Sequence, residues 1–186
     1  MPTPVGEDFS ATIGLMTDGS LLRGASATDS FGVPDRLLGP HTDDFYACVG
    51  RVVTLTALFE ERLRVLVGQQ IGVTDAPPKL GGAYVSTLIP EGLAHLGAFM
   101  DEQASSLAGD FFARAQWVMG ERNHVVHNLW PAQAEDPQFG WRTVRGESDD
   151  IKINRTQSDL RELVLQIVKL LDDCEKLSMR VRPPTW

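Results

Sequence analysis

The residues best suited to chemistry lie close together near position 125. Arg122, Asn123, His124 and His127 fall within one short segment, which holds two of the four histidines of the chain. Arg122 also belongs to a helical stripe of mostly apolar residues, namely Ala104, Leu107, Phe111, Ala115, Val118, Val125 or Val126, and Leu129. An arginine in a buried stripe is costly unless an anion pairs with it. The segment therefore predicts an anion site that a phosphate would satisfy.

These side chains suit the cleavage of RNA without a metal ion. Histidine transfers protons near neutral pH, because the reference pKa of imidazole is about 6.5. We predict that His127 is the base that deprotonates the ribose 2′-OH or the acid that protonates the 5′-oxygen. Arg122 keeps its charge and donates paired hydrogen bonds, so we predict that it stabilises the phosphorane. Asn123 precedes His127 by one helical turn and is predicted to orient its imidazole or bind a phosphate oxygen.

Several alternatives remain open from the sequence. Arg122 and His127 are about 140° apart around an ideal helix, so a dimer groove or a local break near Gly120 would have to bring both to one phosphate. His127 can instead bond a backbone carbonyl. Arg122 can instead pair with a buried carboxylate, for which the candidates are Glu60, Glu61, Asp101, Glu102 and Asp110.

Weaker predictions concern the neighbouring residues. We predict that His124 and Trp130 contact the substrate, although Trp117, Trp130 and Trp141 are as well suited to a core or a dimer interface as to base stacking. His124 and His127 have the spacing of two metal ligands, but two ligands are not a site, and no HExxH pattern exists. We therefore predict no metal and no cofactor.

Three long amphipathic segments must position these residues. Apolar periodicity predicts helices over 43–70, 101–129 and 157–180, with a short helix that begins at Pro90 and continues to Met100. Gly72 is expected to end the first helix, and Thr156 with Asp159 suits a capping arrangement at the last. Alternating residues around Trp141 and Ile153 predict a short β-hairpin or structured loop before the last helix. The predicted fold is an all-α antiparallel helical bundle.

Length, composition and charge bear on the domain organisation, the cellular location and the partners of the protein. The chain of 186 residues is predicted to be one helical domain over 43–180, after an irregular or partly disordered segment over 1–42 and before a frayed tail over 181–186. No stretch predicts a membrane helix or a signal peptide, so we expect a cytoplasmic protein. Cys48 and Cys174 are predicted to be buried free thiols. Residues 1–150 carry ten basic and 20 acidic side chains, and this acidic charge opposes RNA at long range.

The segment Arg122-Asn123-x-x-x-His127 resembles the Arg-x4–6-His motif of the HEPN superfamily. A long first helix, a second long helix that ends in the motif, a variable insert and a final amphipathic helix resemble the HEPN layout over about 43–180. The resemblance implies a metal-independent endoribonuclease that leaves 2′,3′-cyclic phosphate ends. It also implies a homodimer, RNA as substrate, an antitoxin or regulatory protein as partner, and a role as a toxin or phage-defence effector. The alternative is a non-catalytic binding or dimerisation module of the same fold.

Overall fold

A computed structural model describes residues 28–34, 41–74, 80–128, 139–142 and 151–183, and it is mostly helical. The predicted irregular segment 1–42 and Trp130 lie largely or wholly outside these residues. The helices of the described chain are α1 (Asp43–Thr74), α2 (Val85–Ala94), α3 (Glu102–His127) and α4 (Gln157–Ser178), with a 3-10 turn at Leu96–Ala98. The strands β1 (Phe139–Arg142) and β2 (Ile151–Asn154) precede α4. The mostly helical content of the described residues confirms the predicted all-α class.

Helix α1 is the longest element and runs further than predicted. Phe59, Leu63 and Leu66 are fully buried, and two acidic residues in the first turn favour the start of the helix. The helix ends at Thr74, two residues beyond the predicted end near Gly72. The side chain of Gln70 is fully buried there, and its amide donates to the backbone oxygen of Gly92 over 3.1 Å. This bond satisfies a carbonyl at the end of α2.

Helix α2 corrects the prediction that Pro90 begins a helix. Pro90 lies inside α2, in its second turn, where a proline leaves the carbonyl four residues earlier without its helical donor. That carbonyl belongs to Ser86, and both residues are exposed, so water can satisfy it. The buried side chains of Leu88 and Ile89 determine which face of α2 packs against the core.

Helix α3 is continuous, so the alternative of a local break near Gly120 does not apply to it. The side chain of Asp101 caps its start by accepting from the N–H of Ala104 over 2.6 Å. One residue of the predicted stripe is misplaced: Leu107 is 47% exposed, and Ala108 is buried in its stead. The difference arises because both residues fit a three- or four-residue interval.

Helix α4 packs mainly on α1 and also against α3. Its predicted cap is confirmed: the backbone N–H and hydroxyl of Thr156 donate to Asp159, and these bonds hold the pKa of that carboxyl below its usual value. Cys48 and Cys174 are buried free thiols, as predicted. Burial raises the pKa of Cys174 to about 12.

The insert before α4 forms a two-stranded antiparallel ribbon, in which Trp141 pairs with Lys152. This agrees with the predicted hairpin. Beyond α4, Val181 is buried and pairs with Phe99, and the N–H of Arg182 donates to Ala98. The first residues of the predicted frayed tail are therefore held against the 3-10 turn. None of the described helices has the length and apolar character to cross a membrane.

Candidate functional site

The predicted site residues lie on the last two turns of α3. Arg122 continues the buried row of this helix at intervals of three and four residues, and it is partly buried. Asn123 and His124 are also partly buried, whereas His127 is exposed. The helix thus presents the arginine from its core side and the last histidine from its solvent side.

Arg122 has no carboxylate partner in the described part of the chain. Its Nη1 donates to Asn123 Oδ1 over 2.9 Å, and its buried Nε has no acceptor. The five carboxylates considered as partners all lie in described residues, and none pairs with it. Glu61 pairs with Arg64, and Asp101 caps α3. The hypothesis that Arg122 only ties helices together through one of these carboxylates is therefore wrong.

Arg122 and Asn123 line an open groove of about 660 Å³ between α2 and α3. One wall is apolar and comes from α2, through Val85, Ile89 and Leu93. The facing wall comes from α3 and is mostly polar. The groove also reaches α1, and it is lined by Val85 and Ser86 in the first turn of α2, whose N–H groups precede the first hydrogen bonds of that helix. An anion at this end would meet a guanidinium and a helix N-terminus together.

His127 does not line the groove but follows directly along it. Gln116, Gly120 and Asn123 line the groove from α3, and His127 continues this row with the same three- and four-residue spacing. An extended substrate that leaves the groove along α3 would therefore pass His127. This row explains how the groove and the exposed histidine share one face of the helix.

The bond between Arg122 and Asn123 changes the geometry inferred from an ideal helix. The two backbone positions of Arg122 and His127 remain about 140° apart. The guanidinium, however, reaches Asn123 Oδ1, which lies on the groove face one turn before His127. This hydrogen bond links the guanidinium to a residue of the face that carries the histidine, on a helix that is continuous to His127.

The surroundings of His124 differ from those expected for a residue that contacts the substrate. Its Nδ1 lies 3.6 Å from Glu121 Oε1, on a side chain that also accepts two bonds from Arg155. Arg155 follows β2 directly, so this ion pair attaches the end of the insert to the motif helix. Among the described residues, no group of three or more His, Cys, Asp or Glu side chains could hold a metal ion.

Asn128 is a residue that the sequence analysis did not single out. It ends α3 and is only 7% exposed, and both polar atoms of its side-chain amide are buried without a partner. An unsatisfied buried amide is costly. It continues the three- and four-residue spacing of the buried row after Val125, but an asparagine is seldom buried, so nothing in the sequence indicated its burial.

Of the three tryptophans considered from the sequence, Trp117 and Trp141 lie on described elements. Trp117 lies on α3 and is 56% exposed, so it is no core residue in a single chain. Trp141 lies on β1, and Trp130 lies outside the described residues. Trp117 is therefore available for a stacking or interface role.

Comparisons with known proteins add no assignment to this geometry. The chain matches no protein-family model, and neither a curated protein nor a solved structure shows significant similarity to it.

Proposed function

We propose that this protein is a metal-independent endoribonuclease of the HEPN type. The observation that carries the proposal is Arg122, a partly buried guanidinium that has no carboxylate partner in the described chain and lines an open groove. Leaving such a group uncompensated costs free energy, which an anionic ligand would recover. The nearby exposed His127 supplies a proton-transfer group on the same helix face as Asn123.

The proposed reaction divides between these side chains. A histidine removes the proton of the ribose 2′-OH, and the oxygen attacks the adjacent phosphorus. The bond from phosphorus to the 5′-oxygen breaks, and a protonated histidine returns a proton to that oxygen. Arg122 stabilises the charge of the phosphorane, and Asn123 holds the guanidinium at the groove. The products are a 2′,3′-cyclic phosphate and a 5′-hydroxyl.

A homodimer would complete this mechanism. The reaction needs a base and an acid at one phosphate, and each chain offers one exposed histidine in the motif segment, His127. A second copy would supply the other. In this proposal the enzyme serves as a toxin or phage-defence effector, and an antitoxin or regulatory protein would act by covering the groove or the exposed histidine.

The test is cleavage of end-labelled single-stranded RNA in EDTA. The parent should cut and leave cyclic-phosphate ends. His127→Ala should lose roughly 10²-fold or more in rate, as expected for a proton-transfer group. Arg122→Ala should lose about 10²- to 10³-fold, as expected for a charge-stabilising donor.

Arg161→Ala is the matched control, because Arg161 is an exposed arginine on α4 that pairs with Asp44 away from the groove. It should cleave at the parental rate. Circular dichroism and sedimentation should show that all variants keep their fold and assembly. Equal cleavage by the parent and His127→Ala, or a requirement for Mg²⁺, would refute the proposal.

A second candidate is a non-catalytic binding or dimerisation module. It is favoured by one observation: the groove contains Arg122 and Asn123 but not His127. In this case an oligonucleotide would bind without being cut, or the motif would stabilise a dimer. Arg122→Ala would weaken binding or dimerisation, while His127→Ala would behave like the parent.

A further inference from the structure

The groove contains a second charged side chain that the proposed mechanism does not use. Glu60 projects from α1 and lines the groove with Arg122 and Asn123. It is partly buried and forms no ion pair or side-chain hydrogen bond in the described structure. Its sequence neighbour Glu61 differs, because it is exposed and pairs with Arg64.

Glu60 and Arg122 carry opposite charges in one groove but do not pair with each other. Partly buried opposite charges gain most when they are close, so two separated ones favour a ligand that spans them. Such a ligand must present an anion to the arginine and N–H donors to the carboxylate. A nucleotide has both, in its phosphate and its base.

The rest of the groove suits a flat, partly apolar group. Val85, Ile89 and Leu93 form an apolar wall, and Tyr84, which is 80% exposed, also lines the groove. A base can therefore lie against the wall or stack on the tyrosine ring. The volume of about 660 Å³ is in the range of small-ligand sites.

We propose that this groove selects guanine next to the scissile phosphate, with Glu60 as the specificity residue. The inference rests on the proposed ribonuclease function. Guanine carries two adjacent donors, N1–H and the N2 amino group, which match the two oxygens of a carboxylate. Adenine and cytosine place an acceptor beside their amino group, and uracil places its single N–H between two carbonyl oxygens. These acceptors repel a carboxylate.

The test uses five RNA oligonucleotides that differ only in the base at the cleavage position. Four carry guanine, adenine, cytosine or uracil, and the fifth carries hypoxanthine, which keeps N1–H but lacks the N2 amino group. The parent should cleave the guanine substrate about 10- to 100-fold faster in kcat/KM than the other standard bases, as expected for one bidentate contact. The kcat/KM for the hypoxanthine substrate should lie between the value for guanine and the values for the other three bases.

Glu60→Gln should lose most of the guanine preference, because the amide offers one acceptor and one donor in place of two acceptors. Its rates on the adenine and cytosine substrates should rise, because the new amide N–H donates to the acceptor that repelled the carboxylate, and the ratio of the guanine rate to the hypoxanthine rate should shrink. Glu61→Gln is the matched control and should keep the parental preference.

Binding of uncleavable 2′-O-methyl oligonucleotides separates this inference from the function on which it rests. Cleavage that ignores base identity, or a guanine preference that survives Glu60→Gln, overturns the inference and leaves the ribonuclease proposal standing. Guanine-selective binding that depends on Glu60, without any cleavage of RNA, supports the inference and overturns the ribonuclease. If the protein neither cleaves nor binds these oligonucleotides, both the inference and the ribonuclease proposal are overturned.

Discussion

Arg122 is a partly buried arginine at the groove, and its Nε has no acceptor in the described structure. Its place on the apolar row of α3 follows from spacing alone, and the structure confirms that it is partly buried. Its lack of a carboxylate partner did not follow from spacing. The candidate carboxylates lie on other helices or earlier in α3, and only tertiary packing decides which of them approach the guanidinium.

The absence of a carboxylate partner among the described residues predicts how the free energy of unfolding responds to loss of Arg122. Arg122→Met should leave the free energy of unfolding unchanged or raise it by up to about 1 kcal/mol, because it removes a buried Nε without an acceptor and keeps an aliphatic stem. Arg114→Met should lower it by about 1 kcal/mol, because Arg114 pairs with Asp173 over 2.7 Å. Urea denaturation measures both.

Arg114 is the matched comparison, since it is a partly buried arginine on the same helix. A loss of more than about 1 kcal/mol in Arg122→Met would mean that the arginine serves the fold. It would also remove the main argument for an anion at the groove.

At the scale of elements, the three long helices followed from periodicity, and the start of α4 followed from capping chemistry. The predicted span 157–180 corresponds to Gln157–Ser178, and its start was marked by Thr156 and Asp159. Helix α2 was predicted poorly, because a short helix carries few periods and a proline usually signals a start. The burial of Gln70 near the end of α1 was not predicted, since it depends on a contact with α2 that no local pattern reveals.

The packing of α2 on α3 builds the groove, and two glycines test it. A Cβ at Gly92 would collide with the ring of Phe112, whereas a Cβ at Gly120 would meet no atom. Gly92→Ala should therefore destabilise the protein by about 1–3 kcal/mol through overpacking. Gly120→Ala should stabilise it by up to about 1 kcal/mol, because alanine favours a helix interior.

Thermal denaturation of the two variants provides the measurement, and each serves as the control of the other. Pairing Gly92→Ala with Phe112→Leu should recover part of the lost stability, since the smaller side chain leaves room for the methyl group. If Gly92→Ala were as stable as the parent, the close approach of α2 and α3 would be wrong, and with it the shape of the groove.

At the scale of the whole molecule, the net charge of −8 opposes any polyanionic partner. In the proposed site, Arg122 and the first turn of α2 attract an anion inside the groove and so offset this repulsion locally. The charge could be read from composition. The groove could not, because it is assembled from three helices that are distant in sequence.

This arrangement predicts a weak dependence of RNA binding on salt. Each phosphate neutralised on a single strand contributes about −0.7 to the slope of log K against log salt, so one arginine per chain predicts a slope near −0.7 to −1.4 for a dimer. Screening of the acidic body by added salt would flatten the slope further. Fluorescence anisotropy of a 2′-O-methyl oligonucleotide, between roughly 50 and 200 mM NaCl, measures it.

Arg122→Met should bring this slope close to zero, and Arg161→Ala should leave it as in the parent, because Arg161 is already paired with Asp44 at a distance from the groove. A slope steeper than about −3 would require several more phosphate contacts. Binding would then be spread over a basic surface, and a single guanidinium in a groove could not account for it.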